Sequence, residues 1–214
     1  GVRTAAENIA LDDVILEARG LGLVPDTLRF LQFSPPAVLV GYHQSVAQEA
    51  RAGFCQSHGI DINRRLTGGG AIYFDESQLG WEVIAGTGSA IYTRDRGRLF
   101  HSVAEAAEAG LKHLGLDASF RPRNDIEVAG RKVSGLGGTE GDGAFLFQGT
   151  LLLDFDVDTM LRALRVPVEK LGDKEVRALR DRVTWVAREL GYLPLIEEVK
   201  TALCRGFEDV LGLT

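Results

Sequence analysis

The chain has 214 residues, 45% of them hydrophobic, which is enough for one sizeable core or two small ones. Its formal net charge of -6 argues against a nucleic-acid partner, because neutralising phosphates normally requires a basic face. No apolar run approaches the length of a membrane span, and nothing at the start resembles a signal peptide. The two cysteines, Cys55 and Cys204, lie far apart and have no metal-binding spacing, which predicts a cytoplasmic protein.

The first half of the chain alternates predicted helices and strands. Thr4 and Glu7 have the spacing of a capping box and begin a predicted helix that ends near residue 19. Apolar periodicity and turn residues then predict strands at 27–33, 37–41, 60–66 and 79–85, and helices at 46–57 and 95–114.

The second half begins with strands and ends with helices. Strands are predicted at 119–123 and 126–128, and at 145–147 and 150–153 with Gln148 and Gly149 between them. From about residue 157 helices are predicted at 157–164, 169–179, 181–190 and 195–211, the last with Ile196, Val199, Leu203, Phe207 and Val210 inward. No repeat or linker is apparent. We therefore predict one α+β domain over 1–214 with a mixed or antiparallel sheet, and no separate C-terminal accessory domain.

Two glycine-rich segments carry the candidate chemistry, and the first is RRLTGGGAIYFD at 64–75. Three successive glycines are costly in chain entropy, so a closely approaching ligand explains them better than a bare structural need. Their backbone N–H groups could bind an anion while Arg64 or Arg65 supplies charge. A flexible surface turn is the alternative.

The second segment, RNDIEVAGRKVSGLGG at 123–138, is predicted to form a hairpin around the turn at Ala129 and Gly130. Such a hairpin would bring Asp125 and Lys132 close together. A carboxylate can hold a divalent cation and an ammonium can neutralise an anionic oxygen, so the pair suits a substrate that carries phosphate. An ordinary surface hairpin is the alternative.

Together these segments resemble the signatures of the lipoate–protein ligases. The sequence at 64–73 resembles the family's first signature, the residues at 124–126 and 130–135 its second, and QGTLL at 148–152 its third. Weaker matches lie at 11–12 and at 41–44. The matches span nearly the whole chain in the family's order.

The resemblance implies the fold shared by biotin and lipoate ligases and octanoyltransferases, a central mixed, mainly antiparallel sheet flanked by helices. It implies that lipoate or octanoate reacts with ATP and Mg²⁺ to give an acyl-adenylate. The acyl group then passes to a specific lysine of a lipoyl-acceptor protein domain. Many lipoate ligases carry a small accessory domain, so either a separate small accessory subunit completes this enzyme or the chain adenylates unaided.

The same resemblance assigns roles to residues of both segments. Lys132 is expected to be the catalytic residue at the junction of carboxyl and phosphate, and Asp125 to hold the metal. The residues expected to bind the acyl-adenylate or ATP are Arg65, Thr67, Gly68, Gly69, Gly70, Ala71, Ile72, Tyr73, Asn124, Asp125, Ser134, Gly135, Gly149 and Thr150.

Two positions depart from the family's pattern, since Phe74 and Gln148 stand where members commonly have histidine. Any acid–base role of those histidines is therefore absent here. A non-catalytic lipoyl-binding protein is thus one alternative. A biotin ligase is another, but its adenylate loop would be rich in arginine.

An octanoyltransferase is the remaining alternative, and it would hold the acyl group on a thiol. Residues 120–131, where the related transferases have their cysteine, contain none. Cys55 and Cys204 both fall in predicted helices, where a small buried hydrophobic residue is the expected role.

Two further expectations concern substrate and acceptor. The acyl pocket should be a narrow apolar channel, with Ile72, Leu136 and Trp81 as candidate walls. An acidic acceptor domain should dock near the arginines at 177, 180, 182 and 188, although acidic residues interleave with them and a solvated helical face is the alternative.

Overall fold

A computed structural model describes residues 1–122, 124–165 and 180–213. Its strands are β1 (Val2–Arg3), β2 (Thr27–Phe33), β3 (Ala37–Val40), β4 (Asp61–Arg64), β5 (Ile72–Phe74), β6 (Gln78–Gly86), β7 (Ala118–Arg121), β8 (Asp125–Val128), β9 (Arg131–Gly141) and β10 (Ala144–Leu152). Its helices are α1 (Ala5–Gly20), α2 (Val46–Glu49), α3 (Ala52–Ser57), α4 (Arg96–His113), α5 (Val157–Ala163), α6 (Val186–Leu190) and α7 (Ile196–Leu211).

The strands form two sheets. The larger has seven strands in the order β1-β2-β6-β10-β9-β8-β7, and the smaller has three in the order β4-β3-β5. All neighbours in the larger sheet are antiparallel except β1 and β2, whereas β3 is parallel to β4 and antiparallel to β5. The predicted mixed, mainly antiparallel sheet flanked by helices is confirmed.

The main core lies between the larger sheet and the pair α4 and α7. Trp81 on β6 is 1% exposed and meets Phe207 of α7 edge to face, with ring centroids 5.2 Å apart. Both rings belong to one continuous apolar cluster with residues of α4. Burying a large side chain contributes about 1.5–3 kcal/mol, so this layer is a main source of stability.

Local signals placed several elements correctly. At α1, Thr4 accepts a hydrogen bond from the Glu7 amide, and the Glu7 carboxylate accepts one from the Thr4 amide, which is a complete capping box. At the hairpin, Ala129 and Gly130 both have positive φ and turn β8 into β9 as predicted.

Four predicted elements were wrong in extent. The helix at 46–57 is two short helices, because Ala50 bridges Leu164 and the Arg51 amide donates to the Ala163 carbonyl. The two runs around Gln148 form the single strand β10, paired on both sides. The helix at 181–190 is reduced to α6, and the predicted helix at 169–179 lies outside the described residues.

Two side chains expected to be buried are exposed. Val210 on α7 is 41% exposed, and Cys204 lies on the outer face of the same helix. The apolar stripe of α7 instead comprises Val199, Leu203 and Phe207.

Among the described residues, no helix is long and apolar enough to cross a membrane.

Candidate active site

The residues between β4 and β5, here called the glycine loop (65–71), approach β9 and β10 and form a cavity of about 340 Å³ with them. That volume lies at the lower end of the range typical of small-molecule sites. The predicted site residues that line it are Arg65, Thr67, Gly68, Gly69, Gly70, Ala71, Ile72, Tyr73, Asn124, Lys132, Gly135, Gly149 and Thr150. The fold thus brings together two segments that are about sixty residues apart.

Arg65 holds the glycine loop in shape. Its guanidinium donates to the carbonyls of Gly68 and Gly70 at 2.7 and 2.8 Å, to the Leu39 carbonyl at 2.8 Å and to the Thr67 hydroxyl at 3.1 Å. Burial lowers the pKa of Arg65 to about 10, so it remains charged at neutral pH. Arg65 lines the cavity, but most of its five N–H donors are used within the protein.

The carbonyls of Gly68 and Gly70 face Arg65, whereas the amides of the three glycines have no partner among the described residues. Within residues 1–122, 124–165 and 180–213, no acceptor binds the amides of Gly68, Gly69 or Gly70. A run of unpaired amides is the feature that lets a backbone bind an anion. Gly41 supports the loop from outside, because a Cβ there would lie 1.9 Å from the Gly69 carbonyl oxygen.

Arg64, the other candidate for supplying charge, does not line the cavity. Its guanidinium donates to three carbonyls of the segment after β3, those of Gly41, Tyr42 and Gln44, at 2.7–2.9 Å. Both arginines of the signature therefore fix loop backbones.

Lys132 and Asp125 meet as the hairpin predicted, with Nζ 2.7 Å from Oδ1. A β-bulge follows Lys132, and Gly135 leaves room for its side chain, because a Cβ there would lie 2.8 Å from Nζ. Lys132 is also fixed through its backbone. Its amide donates to the Arg182 carbonyl at 2.9 Å, and its carbonyl accepts from the Thr184 amide at 2.8 Å.

Asp125 was expected to hold a metal, but its carboxylate is paired with Lys132 and does not line the cavity. Among the described residues, no group of three His, Cys, Asp or Glu could hold a metal ion. The described residues therefore do not form a protein cage for Mg²⁺.

Ser134 does not line the cavity either, which corrects its assignment. It pairs with Ile126 on β8 and Leu151 on β10, and both of those side chains belong to the main core. Paired residues share a face of the sheet, so Ser134 faces the core. Thr150 lies on the cavity side, where its hydroxyl accepts from the Gly135 amide at 3.2 Å.

The cavity continues into an apolar region. Ile72 and Leu136 line it as expected, whereas Trp81 lies in the core and does not. Apolar side chains missing from the sequence interpretation complete this wall, namely Leu152, Phe155, Met160, Leu164 and Val183. They come from the end of β10, from α5 and the residues on either side of it, and from the segment before α6, and their irregular spacing gave no signal of a shared site.

The two positions that lack histidine differ in their surroundings. Phe74 is 3% exposed and packs against Phe33 at 4.5 Å between ring centroids, outside the cavity. Gln148 lines the cavity and lies opposite Glu82 on β6.

A buried ionic cluster lies beside Gln148 on the same face of the larger sheet, and the sequence interpretation missed it. Arg29 donates to Asp12 and, at 2.6 Å, to Glu82, and also to the Asn8 side chain at 2.7 Å. One guanidinium thus faces two carboxyl groups. Burial and the nearby Asp12 charge raise the pKa of Glu82 to about 8, and burial also raises the pKa of Asp12.

Neither cysteine of the chain lines the cavity. The Cys55 thiol is buried beneath α3 and faces the Ala163 carbonyl, and Cys204 lies on α7. Burial raises the pKa of the Cys55 thiol, and partial desolvation with the nearby Glu208 charge raises that of the exposed Cys204, which disfavours the nucleophilic thiolate.

Known proteins resemble this chain along its whole length. A family model described as the lipoyl protein ligase A/B catalytic domain matches residues 4–208. Octanoyltransferase LipM of Symbiobacterium thermophilum is 32% identical, over 100% of this chain and 85% of the relative. Lipoate-protein ligase A subunit 1 of Thermoplasma acidophilum is also 32% identical, over 96% of this chain and 79% of the relative.

Solved structures agree with these relatives. A lipoate-protein ligase A bound with ATP superposes with a TM-score of 0.84 at 28% identity, over 99% of this chain and 83% of that one. The bi-partite lipoate protein ligase of Thermoplasma acidophilum, studied with its E2 lipoyl domain, gives 0.83 at 28% identity, over 100% of this chain and 82% of that one.

Proposed function

The chain belongs to the family of lipoyl protein ligase A/B catalytic domains, and from that membership we propose that it is an ATP-dependent lipoate–protein ligase. It activates lipoate or octanoate as the acyl-adenylate and passes the acyl group to a lysine of an acceptor protein domain. The observation that carries the proposal is one cavity lined by Lys132, by an apolar wall and by three glycines whose amides have no acceptor among the described residues.

In the first step a carboxylate oxygen of the acid attacks the α-phosphorus of ATP. An acyl–phosphate bond forms, and the bond to the departing pyrophosphate breaks. Two anionic groups must approach one another, so Lys132 is placed to neutralise both while the amides of the glycine loop hold a phosphate oxygen. Asp125 orients the ammonium through its 2.7 Å pair.

In the second step the neutral amine of the acceptor lysine attacks the acyl carbon. An amide bond forms, AMP leaves with the bonding electron pair, and the amine proton passes to solvent. The apolar wall holds the hydrocarbon tail by burial and shields the reactive adenylate from water. No thiol is needed at any point.

The experiment is direct. The purified chain is incubated with ATP, lipoate or octanoate, and a candidate acceptor domain, and both pyrophosphate release and intact acceptor mass are measured. Release together with the acyl mass increment supports the ligase. Binding of lipoate without pyrophosphate release would instead indicate a non-catalytic lipoyl-binding protein.

The need for a second subunit is part of the proposal. We take residues 1–214 as one catalytic unit, and the similarity to the bi-partite lipoate protein ligase of Thermoplasma acidophilum supports a separate partner subunit. Pyrophosphate release by the chain alone decides this point. Robust release removes the need for an accessory subunit, and its absence directs the search to one.

The similarity to octanoyltransferase LipM favours a second candidate, transfer of an octanoyl group from a thioester donor. It requires a thiol in the site, whereas Cys55 and Cys204 both lie outside the cavity. Octanoylation of the acceptor by an octanoyl thioester without ATP, with an acyl–enzyme visible in the intact mass, would establish this reaction and displace the ligase.

A further inference from the structure

Glu49, the last residue of α2, connects two walls of the candidate active site. Its side-chain Oε2 accepts a hydrogen bond of 3.0 Å from the amide of Ala71, the last residue of the glycine loop. Its backbone carbonyl accepts one of 2.7 Å from the amide of Arg165, just after α5. Leu164, the neighbour of Arg165, lines the cavity.

The glycine loop is thus held at two points. On one side Arg65 binds the carbonyls of Gly68 and Gly70, so the amides of Gly69 and Ala71, which share those trans peptide units, point away from Arg65. At the C-terminal end of the loop, Glu49 binds the amide of Ala71. Three glycines in succession have large conformational freedom, so a fixed amide nest needs both constraints.

We propose that Glu49 is a positioning residue that holds the glycine loop with its free amides directed at the bound nucleotide. The proposal rests on the ATP-dependent function inferred above. Glu49 does not line the cavity, so it acts through Ala71 and not by touching substrate. Its role requires an acceptor oxygen at Oε2 and does not require the negative charge, which would repel a phosphate.

Two substitutions separate these requirements. Glu49→Gln keeps a carbonyl oxygen of the same reach and removes the charge, whereas Glu49→Ala removes the acceptor. A charge-assisted hydrogen bond is strong enough that its loss should raise the KM for ATP on the order of tenfold. Glu49→Gln should stay within about threefold of the unchanged protein, because a neutral hydrogen bond remains.

The experiment measures ATP–pyrophosphate exchange at varied ATP and varied lipoate, with Gln48→Ala on the same helix as the control. Loss of stability alone would reduce the active fraction and lower kcat, leaving the KM for ATP unchanged. A raised KM for ATP in Glu49→Ala, an unchanged KM for lipoate, and rescue by Glu49→Gln are the expected results. Equal damage by both substitutions, or no change in the KM for ATP, overturns the proposal.

A second readout keeps this test independent of the proposed function. Amide hydrogen exchange of peptides covering 67–72 should be faster in Glu49→Ala and unchanged in Glu49→Gln and Gln48→Ala. If the unchanged protein releases no pyrophosphate, the ligase proposal fails, but the exchange comparison still decides what Glu49 does. Identical exchange in all four proteins would refute its positioning role.

Discussion

Replacing Lys132 by alanine tests the centre of the proposed mechanism, because it should separate activity from stability. Removing one preorganised donor to a developing charge costs about 2.7–4 kcal/mol, or about 10²–10³ in rate. We therefore expect Lys132→Ala to lose at least a hundredfold in adenylation rate.

The cost to folding should be far smaller. The Lys132–Asp125 pair is short at 2.7 Å, but the two side chains are 37% and 27% exposed. Solvent screening reduces pairs of this kind to about 0–1 kcal/mol. In a chain of this size that corresponds to a fall in Tm of at most about 2–4 °C. The backbone bonds between Lys132 and residues 182–184 are kept by any side chain.

The assay is pyrophosphate release with lipoate and ATP, paired with thermal unfolding of the same samples. Lys200→Ala is the matched control, since Lys200 also forms a 2.7 Å pair, with Glu197 on α7. Lys132→Arg should rescue poorly, because a planar fork cannot take the position of a compact ammonium. Near-normal adenylation by folded Lys132→Ala would refute both the mechanism and the placement of the site.

Four further outcomes follow from the structure. Glu82 has a folded-state pKa of about 8 against an ordinary 4.5, so the native state holds more protons between those values and the free energy of unfolding should fall as pH rises through them. Glu82→Gln should flatten that dependence in urea titrations at pH 5 and pH 9, and exposed Glu17→Gln should not. The double variant Cys55→Ser/Cys204→Ser should keep ATP-dependent lipoylation, measured by the intact mass of the acceptor. Loss of turnover by a folded double variant would favour a thiol mechanism. Biotin should be rejected, because its ureido group would be unpaired against the apolar wall, and acceptor biotinylation at a comparable rate would contradict this. Arg182→Glu should slow acyl transfer from preformed acyl-adenylate at low salt and change the transfer rate little at high salt. Transfer rates that do not depend on ionic strength would contradict the predicted docking surface.

Three of the four arginines predicted to form the docking surface lie within the described residues. Arg177 lies outside the described residues, Arg180 is paired with Asp158, and the Arg188 guanidinium lies 5.2 Å from the ring centroid of Trp185. Arg182 is exposed and its carbonyl binds the Lys132 amide, so it lies next to the proposed reaction centre. It is therefore the arginine whose substitution tests docking best.

Features with a local cause were predictable from the sequence. The capping box of Thr4 and Glu7 and the turn at Ala129 and Gly130 depend on residues within four positions of each other. The hairpin then determines that Asp125 and Lys132 meet. The local pattern could not show that their pairing would occupy the carboxylate expected to hold a metal.

Features that depend on distant contacts were not predictable. The segment 46–57 was predicted as a single helix, and the pairing of Ala50 with Leu164 divides it. The position of Arg65 in a glycine-rich segment suggests that it binds a ligand. Its role in supporting the loop is visible only in the structure, where it donates to the Leu39 carbonyl. Glu49 gave no signal, since its partner Ala71 is 22 residues away.

These corrections reduce the number of cationic side chains that can act on the substrate. Of the two cations among the described residues that line the cavity, Arg65 is committed to the glycine loop, so Lys132 is the one available to substrate. An ammonium has three donors and no acceptor. One donor can be held by Asp125, which leaves two, one for the attacking carboxylate and one for the α-phosphate. Those are the two anions that adenylation must bring together, and this division explains why the carboxylate beside Lys132 need not bind metal to be important.

Asp125→Asn should therefore slow adenylation less than Lys132→Ala does, because the ammonium remains but is held less firmly. Pyrophosphate release by the two variants, compared under one set of conditions, gives the order. An Asp125→Asn protein slower than Lys132→Ala would show that the carboxylate has a role of its own beyond orienting the lysine.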